Sequence, residues 1–432
     1  MNISKKTNAD INDQISVDTN KPLYKGPKIL TNEQRLCSNL DVLYSQLQEG
    51  NCNIEESIEA VLKINEEAKS NVVKKYFQDN FPFEAFFKYA LEFSDEEVQM
   101  SAFRCIGYAC DSENFKVETY INEERLKLII NCLNNVNQYI SKASSYILTA
   151  VFRQSSEIRT FCLQNNVVDI ITQMEPKYYL IELLEELLKY QISDENTINV
   201  LVNYFNNLIS AMISNDDMLV DFGEPIFTTI FNFISINSEL TSDIFIDNIS
   251  RLFENSSQFS GVYTSILKVL TKSTQLSLEW GQLLLNHFRN EIRQPCIRYT
   301  CEIITIYHGE WRNLFNSDFL SYMERVILDH TWNAVTISWL IRTYCLLSTD
   351  LGLISQPMIS KMIQFIEVEG TSISVMETLS YFYDNFEEAK SAIIDVHDAL
   401  ENALNEVAND SGANYSEQCI IAAENFLQKF DE

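Results

Sequence analysis

Glycine and proline are scarce in this chain, 10 and 7 among 432 residues, and no segment sustains the polar/apolar alternation of a half-buried strand. Strand-built architectures are excluded and an all-helical chain follows. Basic residues are also few: 32 Lys and Arg stand against 61 Asp and Glu, a net charge of −29. Such a surface repels phosphate backbones and anionic lipid, so nucleic acid and membrane surfaces are not expected as partners. No run approaches the ~18 consecutive apolar residues of a membrane-spanning helix, and residues 1–31 hold no apolar core of signal-peptide length. A soluble protein of the cytosol, or of the nucleus, is expected. The ten cysteines include no CxxC pair, which fits reduced thiols in a helical core.

Catalytic signatures are missing as well. There is no GxGxxG, P-loop, HExxH or GxSxG, and no paired Cys and His cluster. His287, His308, His330 and His397 are spread over the C-terminal half without local partners and read as helix-surface or helix-end side chains. Cys105 with Cys110, and Cys296 with Cys301, sit five apart, about 140° around a helix, a spacing that suits neither a disulfide nor zinc. They read as core residues. No enzyme, metal or cofactor is expected.

What the chain does have is hydrophobic residues, 46% of the total, arranged in amphipathic helices that recur with a period of about forty residues. Val98, Ala102 and Ile106 recur as Ile140, Ser144 and Leu148, and Leu126, Ile129 and Ile130 as Val167, Ile170 and Ile171. Farther on, Ile297, Ile337, Met376 and Ile420 begin helices of similar pattern, at spacings of 40, 39 and 44, each followed seven residues later by Ile304, Tyr344, Tyr383 or Leu427. A period of this length marks a solenoid: an all-α, right-handed α-α superhelix of the armadillo or HEAT kind.

The expected organisation is a disordered polar tail over residues 1–31 and a solenoid over 32–432, its first irregular repeat spanning 32–93. A change of repeat geometry is placed near 190–240, with one continuous superhelix preferred to two domains. Pro82, Pro176, Pro225, Pro295 and Pro357 are expected to precede or open helices, and Gly50, Gly309, Gly370 and Gly412 to follow them.

The segment SAFRCIGYACDSENFKVETYINEERLKLIINCL, followed by SKASSYILTAVFRQSSEIRTFCLQNNVVDIITQM, looks like tandem armadillo repeats. Over residues 57–190 it resembles the armadillo-type nucleotide-exchange factors of heat-shock-70 chaperones. In both, an Ala-containing helix precedes a polar turn, a short helix and an apolar third helix, and the next helix opens with a basic residue before Ala, here Lys142 and Ala143. The resemblance implies a clasp on the chaperone's nucleotide-binding domain that lowers ADP affinity. Where that family carries glycines before the third helix, this chain has Glu123 and Glu124, then Asn165 and Asn166; Asn tolerates left-handed backbone. Importin-α is similar in fold, but Trp280, Trp311, Trp332 and Trp339 have no Asn four residues later, so its peptide-binding ladder is absent.

Three groups of residues are candidates for binding. Asn131, Asn134 and Asn135, and Asn203, Asn206 and Asn207, close or occupy expected third helices, which line the groove of armadillo proteins; an Asn amide can bond both groups of an extended peptide. The alternative is that Asn is simply abundant here. Residues 384–432 hold twelve acids against two bases. There Asp395, Asp398, Asn402 and Asn405 share one face of an expected helix whose other face is Ile393, Val396, Leu400, Leu404 and Val407, either an acidic dock for a basic tail or a solvated face. Arg289, Arg293 and Arg298 flank Pro295 and read as helix-surface arginines, with recognition of an acidic or phosphorylated segment as the functional alternative. The functional expectation is a monomeric, non-catalytic protein-interaction scaffold that grips an extended or basic segment. A heat-shock-70 exchange factor is the alternative.

Overall fold

The computed structural model describes residues 31–48, 54–68, 82–92, 95–112, 115–237, 239–291, 293–368, 370–410 and 414–431. Among the described residues every regular element is helical. Residues 1–30 of the expected tail, and Gly50 and Gly412, fall outside them. The chain divides into two compact units, residues 1–120 and 121–432.

Unit 1 contains α1 (Asn32–Gln48), α2 (Ile54–Glu67), α3 (Phe83–Glu92), α4 (Glu96–Cys110) and the single turn α5 (Val117–Tyr120). Helix α4 starts where Asp95 accepts the backbone N–H groups of Glu97 and Val98, which satisfies two orphan donors of the first turn. It packs on α2 and α3 through Val98, Ala102 and Ile106, all fully buried. Phe83, Phe87, Phe115 and Tyr120 form a stacked aromatic cluster with ring centroids 4.8–6.1 Å apart.

Unit 2 opens with α6 (Glu123–Cys132), α7 (Gln138–Gln154), α8 (Ser156–Gln164) and α9 (Val167–Gln173). Asn166, at the turn into α9, has φ 58° and ψ 30°, the left-handed backbone that its residue type tolerates. From α10 (Tyr178–Leu187) the chain runs largely as helix pairs: α11 (Glu195–Ile213), α12 (Asp216–Ile236), α13 (Ile246–Ser256), α14 (Ser260–Leu270), α15 (Leu278–Phe288), α16 (Gln294–Tyr307) and α17 (Ser317–Asp329). Then come α18 (Ala334–Leu351), α19 (Gln356–Ile363), α20 (Ser372–Asn385), the short α21 (Glu387–Ile394), α22 (His397–Ala408) and α23 (Glu417–Asp431).

These helices stack in two rows. The first row is α7, α10, α12, α14, α16, α18, α20 and α23, each packed on the next; the second is α9, α11, α13, α15, α17, α19 and α22. The alternation runs through residues 190–240 without a break. Residues Ile297, Ile337, Met376 and Ile420, whose spacing marks the period in the sequence, all lie on first-row helices.

Neighbouring helices within the rows are held by two kinds of contact. Several first-row helices meet through small side chains, whereas α20 and α23 meet through Tyr383 against Phe430 at 5.4 Å. Ser145 Oγ donates to the Tyr179 carbonyl at 2.7 Å, Thr264 Oγ1 meets Cys296 Sγ at 3.2 Å, Thr305 Oγ1 meets Thr343 Oγ1 at 3.2 Å, and Thr349 Oγ1 meets Thr378 Oγ1 at 3.4 Å. Between α12 and α14 the small residue is Gly223, where a Cβ would lie 2.9 Å from Val262. Two second-row contacts are made by rings: Phe253 against Trp280 at 5.2 Å and Phe288 against Phe319 at 5.9 Å. Trp311, fully buried, stacks on Tyr307 and donates Nε1–H to the Leu276 carbonyl.

Two sequence expectations need correction. Pro225 lies inside α12 rather than at a helix start. The start is set upstream, where Asn215 caps Met218 and is followed by Asp216 and Asp217 in the first turn. Pro225 has no N–H to give the Asp221 carbonyl, and Asp221 is exposed, so water can take that acceptor. Likewise, Asp395 and Asp398 do not share a helix: α21 ends at Ile394, Val396 leaves the helical region at φ −114° and ψ 19°, and α22 begins at His397. The Val396 N–H bonds the Ile393 carbonyl, the tight i−3 bond that ends a helix. Helix α12 is also long and apolar enough to cross a membrane by length and composition. In the fold it packs on α10, α11 and α14.

The close approach at Gly223 makes a sharp prediction. Gly223→Val should lower stability by about 1–3 kcal/mol through overpacking against Val262. Gly309→Ala, whose Cβ meets nothing within 4 Å, should leave the urea midpoint unchanged. Equal midpoints for the two variants would contradict the packing described.

Candidate protein-binding surface

Three consecutive first-row helices each carry a half-buried stripe set by helical spacing. On α14 and its C-terminal cap it is Thr264, Lys268 and Thr271; on α16, Arg298, Glu302 and Thr305; on α18, Arg342, Leu346 and Thr349. The hydroxyl seams Thr264–Cys296 and Thr305–Thr343 fix the register of one stripe beside the next.

Two clefts open beside these stripes. One, of about 250 Å³, is lined by Thr305, Arg342, Thr349, Ser374, Glu377 and Thr378, among others; the second, of about 560 Å³, by Arg342, Ile373, Ser374, Ser416 and Cys419 with Gly370. Arg342 belongs to both, its guanidinium held 4.6 Å from the centre of the Trp339 ring. A planar cation resting on an aromatic face keeps its donors free at its edge.

Charge is distributed unevenly. Helices α14, α16 and α18 with the adjoining Lys272 hold four bases, Lys268, Lys272, Arg298 and Arg342, against two acids, Glu302 and Asp350. The local balance is +2 in a chain of −29. Lys268 and Lys272 both stand over the Phe231 ring of α12, at 4.1 and 5.4 Å. Burial lowers the Lys268 pKa, and the nearby cations Arg298 and Lys272 lower it too, while Glu185 opposes.

The residues singled out in the sequence lie elsewhere. Asn203 and Asn207 are exposed on α11, in the second row. Asn206 between them is structural: it accepts from Asn248 Nδ2 at 2.8 Å and donates to the Ile244 carbonyl, tying α11 to the next second-row helix. Asn131 is exposed near the end of α6, and Asn135 sits in the following turn, where Oδ1 accepts the Asn137 N–H. The two Asn groups are thus on helices with different packing neighbours. Asp395 and Asp398 are both exposed; His397, beside them, lies 3.7 Å from Asp398 and Glu401 and packs edge-on against Phe430.

The arginines around Pro295 have three different settings. Arg289 caps the end of α15, and its carbonyl accepts from Tyr322. Arg293 is engaged by Glu291 at 2.6 Å and donates to the Ser257 carbonyl. Arg298 is half-buried, with Nε enclosed and without a hydrogen-bond partner among the described residues. Lys268 and Phe231 were not picked out by sequence reasoning; their helical period was legible, but their meeting across two helices was not.

The cysteines sit in the core. Cys105, Cys110, Cys296 and Cys301 are buried, and burial raises all four thiol pKa values, Cys296 to about 11 and Cys301 to about 12. They are protonated packing groups at neutral pH. Among the described residues no group of three or more His, Cys, Asp or Glu is placed to hold a metal ion. His308 and His330 cap the ends of α16 and α17. His287 instead packs between Phe253 and Tyr263, at 5.2 and 5.7 Å.

No protein-family model matches the chain, and no curated protein matches it. Among solved structures, the crystal structure of an engineered protein is similar at a TM-score of 0.63 and 12% identity, the match covering 91% of this chain and 99% of that one. Two other engineered proteins match 54% of this chain at 14% identity, with TM-scores of 0.43. The first likeness bears on the fold, an all-α solenoid-type arrangement, and on nothing further.

His287 yields a pH prediction. Burial lowers its pKa from the ordinary 6.5, Glu254 and Glu291 opposing. The fold therefore holds the neutral ring, and the unfolded chain binds the proton first as pH drops. This contribution should be complete above about pH 7 and decline as pH falls from 6.5 through the lower folded value. Urea midpoints between pH 7.5 and 5 should fall more steeply for the wild type than for His287→Gln; parallel profiles would refute the assignment.

Proposed function

We propose that the chain is a non-catalytic scaffold that holds an extended segment of another protein across the first-row face of unit 2. The observation that carries the reading is the side-by-side placement of three half-buried stripes, rich in hydroxyls, with two clefts beside Arg342, which is anchored on Trp339. Hydroxyls can donate to and accept from a peptide backbone without demanding one sequence. Adjacent helices lie about 8–10 Å apart, so a segment crossing three of them needs roughly 5–6 residues at about 3.3 Å each. Affinity in such a groove concentrates in a few anchors, with Arg the best placed type here.

The test is selection of binders from a displayed library of random seven-residue peptides, followed by mapping with a photo-crosslinking group. Crosslinks should fall on α14, α16 and α18, and Arg342→Ala should weaken the selected peptides about tenfold, or about 1.4 kcal/mol. Asn131→Ala and Asn203→Ala should have no effect. Crosslinks on α11, with loss of binding on Asn203→Ala, would favour the asparagine groove; no enrichment at all would end the scaffold reading.

One observation favours a second reading, the heat-shock-70 exchange factor. Helices α7, α8 and α9 follow the long, short, apolar order of the resemblance, and Asn166 supplies left-handed backbone where that family has glycine. Purified protein should then accelerate ADP release from such a chaperone. Release unchanged at micromolar concentrations would remove it.

A further inference from the structure

We propose that the cationic cluster of Lys268, Lys272 and Arg298, continued by Arg342, is the recognition site for an acidic segment of a partner protein, rich in Asp and Glu. The inference rests on the scaffold reading and adds the chemistry of the guest. It also departs from the basic guest that the overall charge leads one to expect.

Three observations converge. In a chain with nearly two acids for each base, α14, α16, α18 and Lys272 reverse the ratio, four bases to two acids. The cations are also held rather than loose: Lys268 and Lys272 share the Phe231 ring, and Arg342 rests on Trp339. Finally, they are not neutralised. No acid lies within ion-pair distance of these four among the described residues, in contrast to Arg293, engaged by Glu291, or Arg153 and Lys189, which share Glu186. Arg298 keeps its Nε enclosed without a partner.

Holding like charges together costs free energy, visible in the lowered pKa of Lys268, where Arg298 and Lys272 add to the effect of burial. A carboxylate between them would relieve that repulsion and give the guanidinium its planar, two-pronged acceptor. A carboxylate-rich peptide fits better than a polyanion. A nucleic acid or anionic membrane carries high charge density into the field of a −29 protein, whereas a short peptide brings a few charges to helices whose local balance is reversed.

The experiment uses the full-length protein and three fluorescein-labelled eight-residue peptides, Glu-rich, Lys-rich and Ser/Gly-rich, with a single-stranded oligonucleotide and inorganic phosphate as competitor. The Glu-rich peptide should bind at 50 mM salt, lose at least tenfold in affinity by 500 mM, and lose at least tenfold in Lys268→Gln/Lys272→Gln/Arg298→Gln. Arg251→Gln, on the second-row helix α13, should bind as the wild type does. Circular dichroism and the urea midpoint establish that the triple variant is folded; if it is not, Arg342→Gln, expected to weaken binding severalfold, takes its place.

Several outcomes overturn the inference: Glu-rich peptide bound no better than Ser/Gly-rich, binding unmoved by the substitutions, or an oligonucleotide bound as tightly. Competition by millimolar phosphate alone, with equal loss of all peptides, would reassign the cluster to a small anion and overturn it too. Binding of the Lys-rich peptide alone, with first-row crosslinks, would overturn the acidic guest and leave the scaffold standing. No first-row binding by any peptide would remove both.

Discussion

The close approach of successive first-row helices is the constraint on which the rest of unit 2 depends. It is possible because the residues at the seam are Ser, Thr, Cys and Gly, whose small volumes bring backbones together and whose hydroxyls find partners there, as in Ser145 to Tyr179 and Thr305 to Thr343. Buried hydroxyls are costly when unpaired and modestly stabilising when paired. Larger apolar residues at these positions would separate the helices and break the register that sets Lys268 and Arg298 on neighbouring stripes. Part of the second row shows the contrast, since α13, α15 and α17 meet through Phe253, Trp280, Phe288 and Phe319. Small polar groups thus close several first-row seams and rings close two of the second row, while α20 and α23 meet through Tyr383 and Phe430, and α11 and α13 through Asn206 and Asn248.

Asparagine plays a part that composition alone conceals. Asn122, Asn137, Asn215, Asn316 and Asn333 each begin a helix, the side-chain oxygen accepting an N–H of the first turn. Replacing such a cap by Ala costs about 0.5–2 kcal/mol, so part of the Asn abundance is structural punctuation. With few glycines and prolines available, capping side chains do much of the work of starting helices. The signal was present in the sequence at Asn215-Asp216-Asp217, and it outweighs the proline ten residues on as the mark of where α12 begins.

The first row was legible because its period survives in apolar positions: Ile297 and Ile304, and Tyr344 after Ile337, fall on one face at spacings that only stacked helices produce. Helices α4, α7, α9 and α11 were legible for the same reason. The break between α21 and α22 was not, because Ile393, Val396 and Leu400 keep a helical spacing through it. The cationic surface was half legible. Arg298 stands out beside Pro295, but its neighbours are Lys268, thirty residues earlier, and Phe231, on another helix again. Only the register of three helices brings them together, and register is carried by seam residues such as Thr264 and Cys296 that look unremarkable in a one-dimensional reading.

The order of contacts along the rows has a consequence for how the molecule yields. Each row helix leans chiefly on its row neighbours and on the helix paired with it, so cooperativity has a short reach. Loosening at one end need not propagate to the other, and amide protons in α23 and α22 can exchange with solvent while α14 and α16 remain shut. The surface that carries the cations therefore sits in the stretch insulated by neighbours on either side. It can keep its form while the terminal helices breathe.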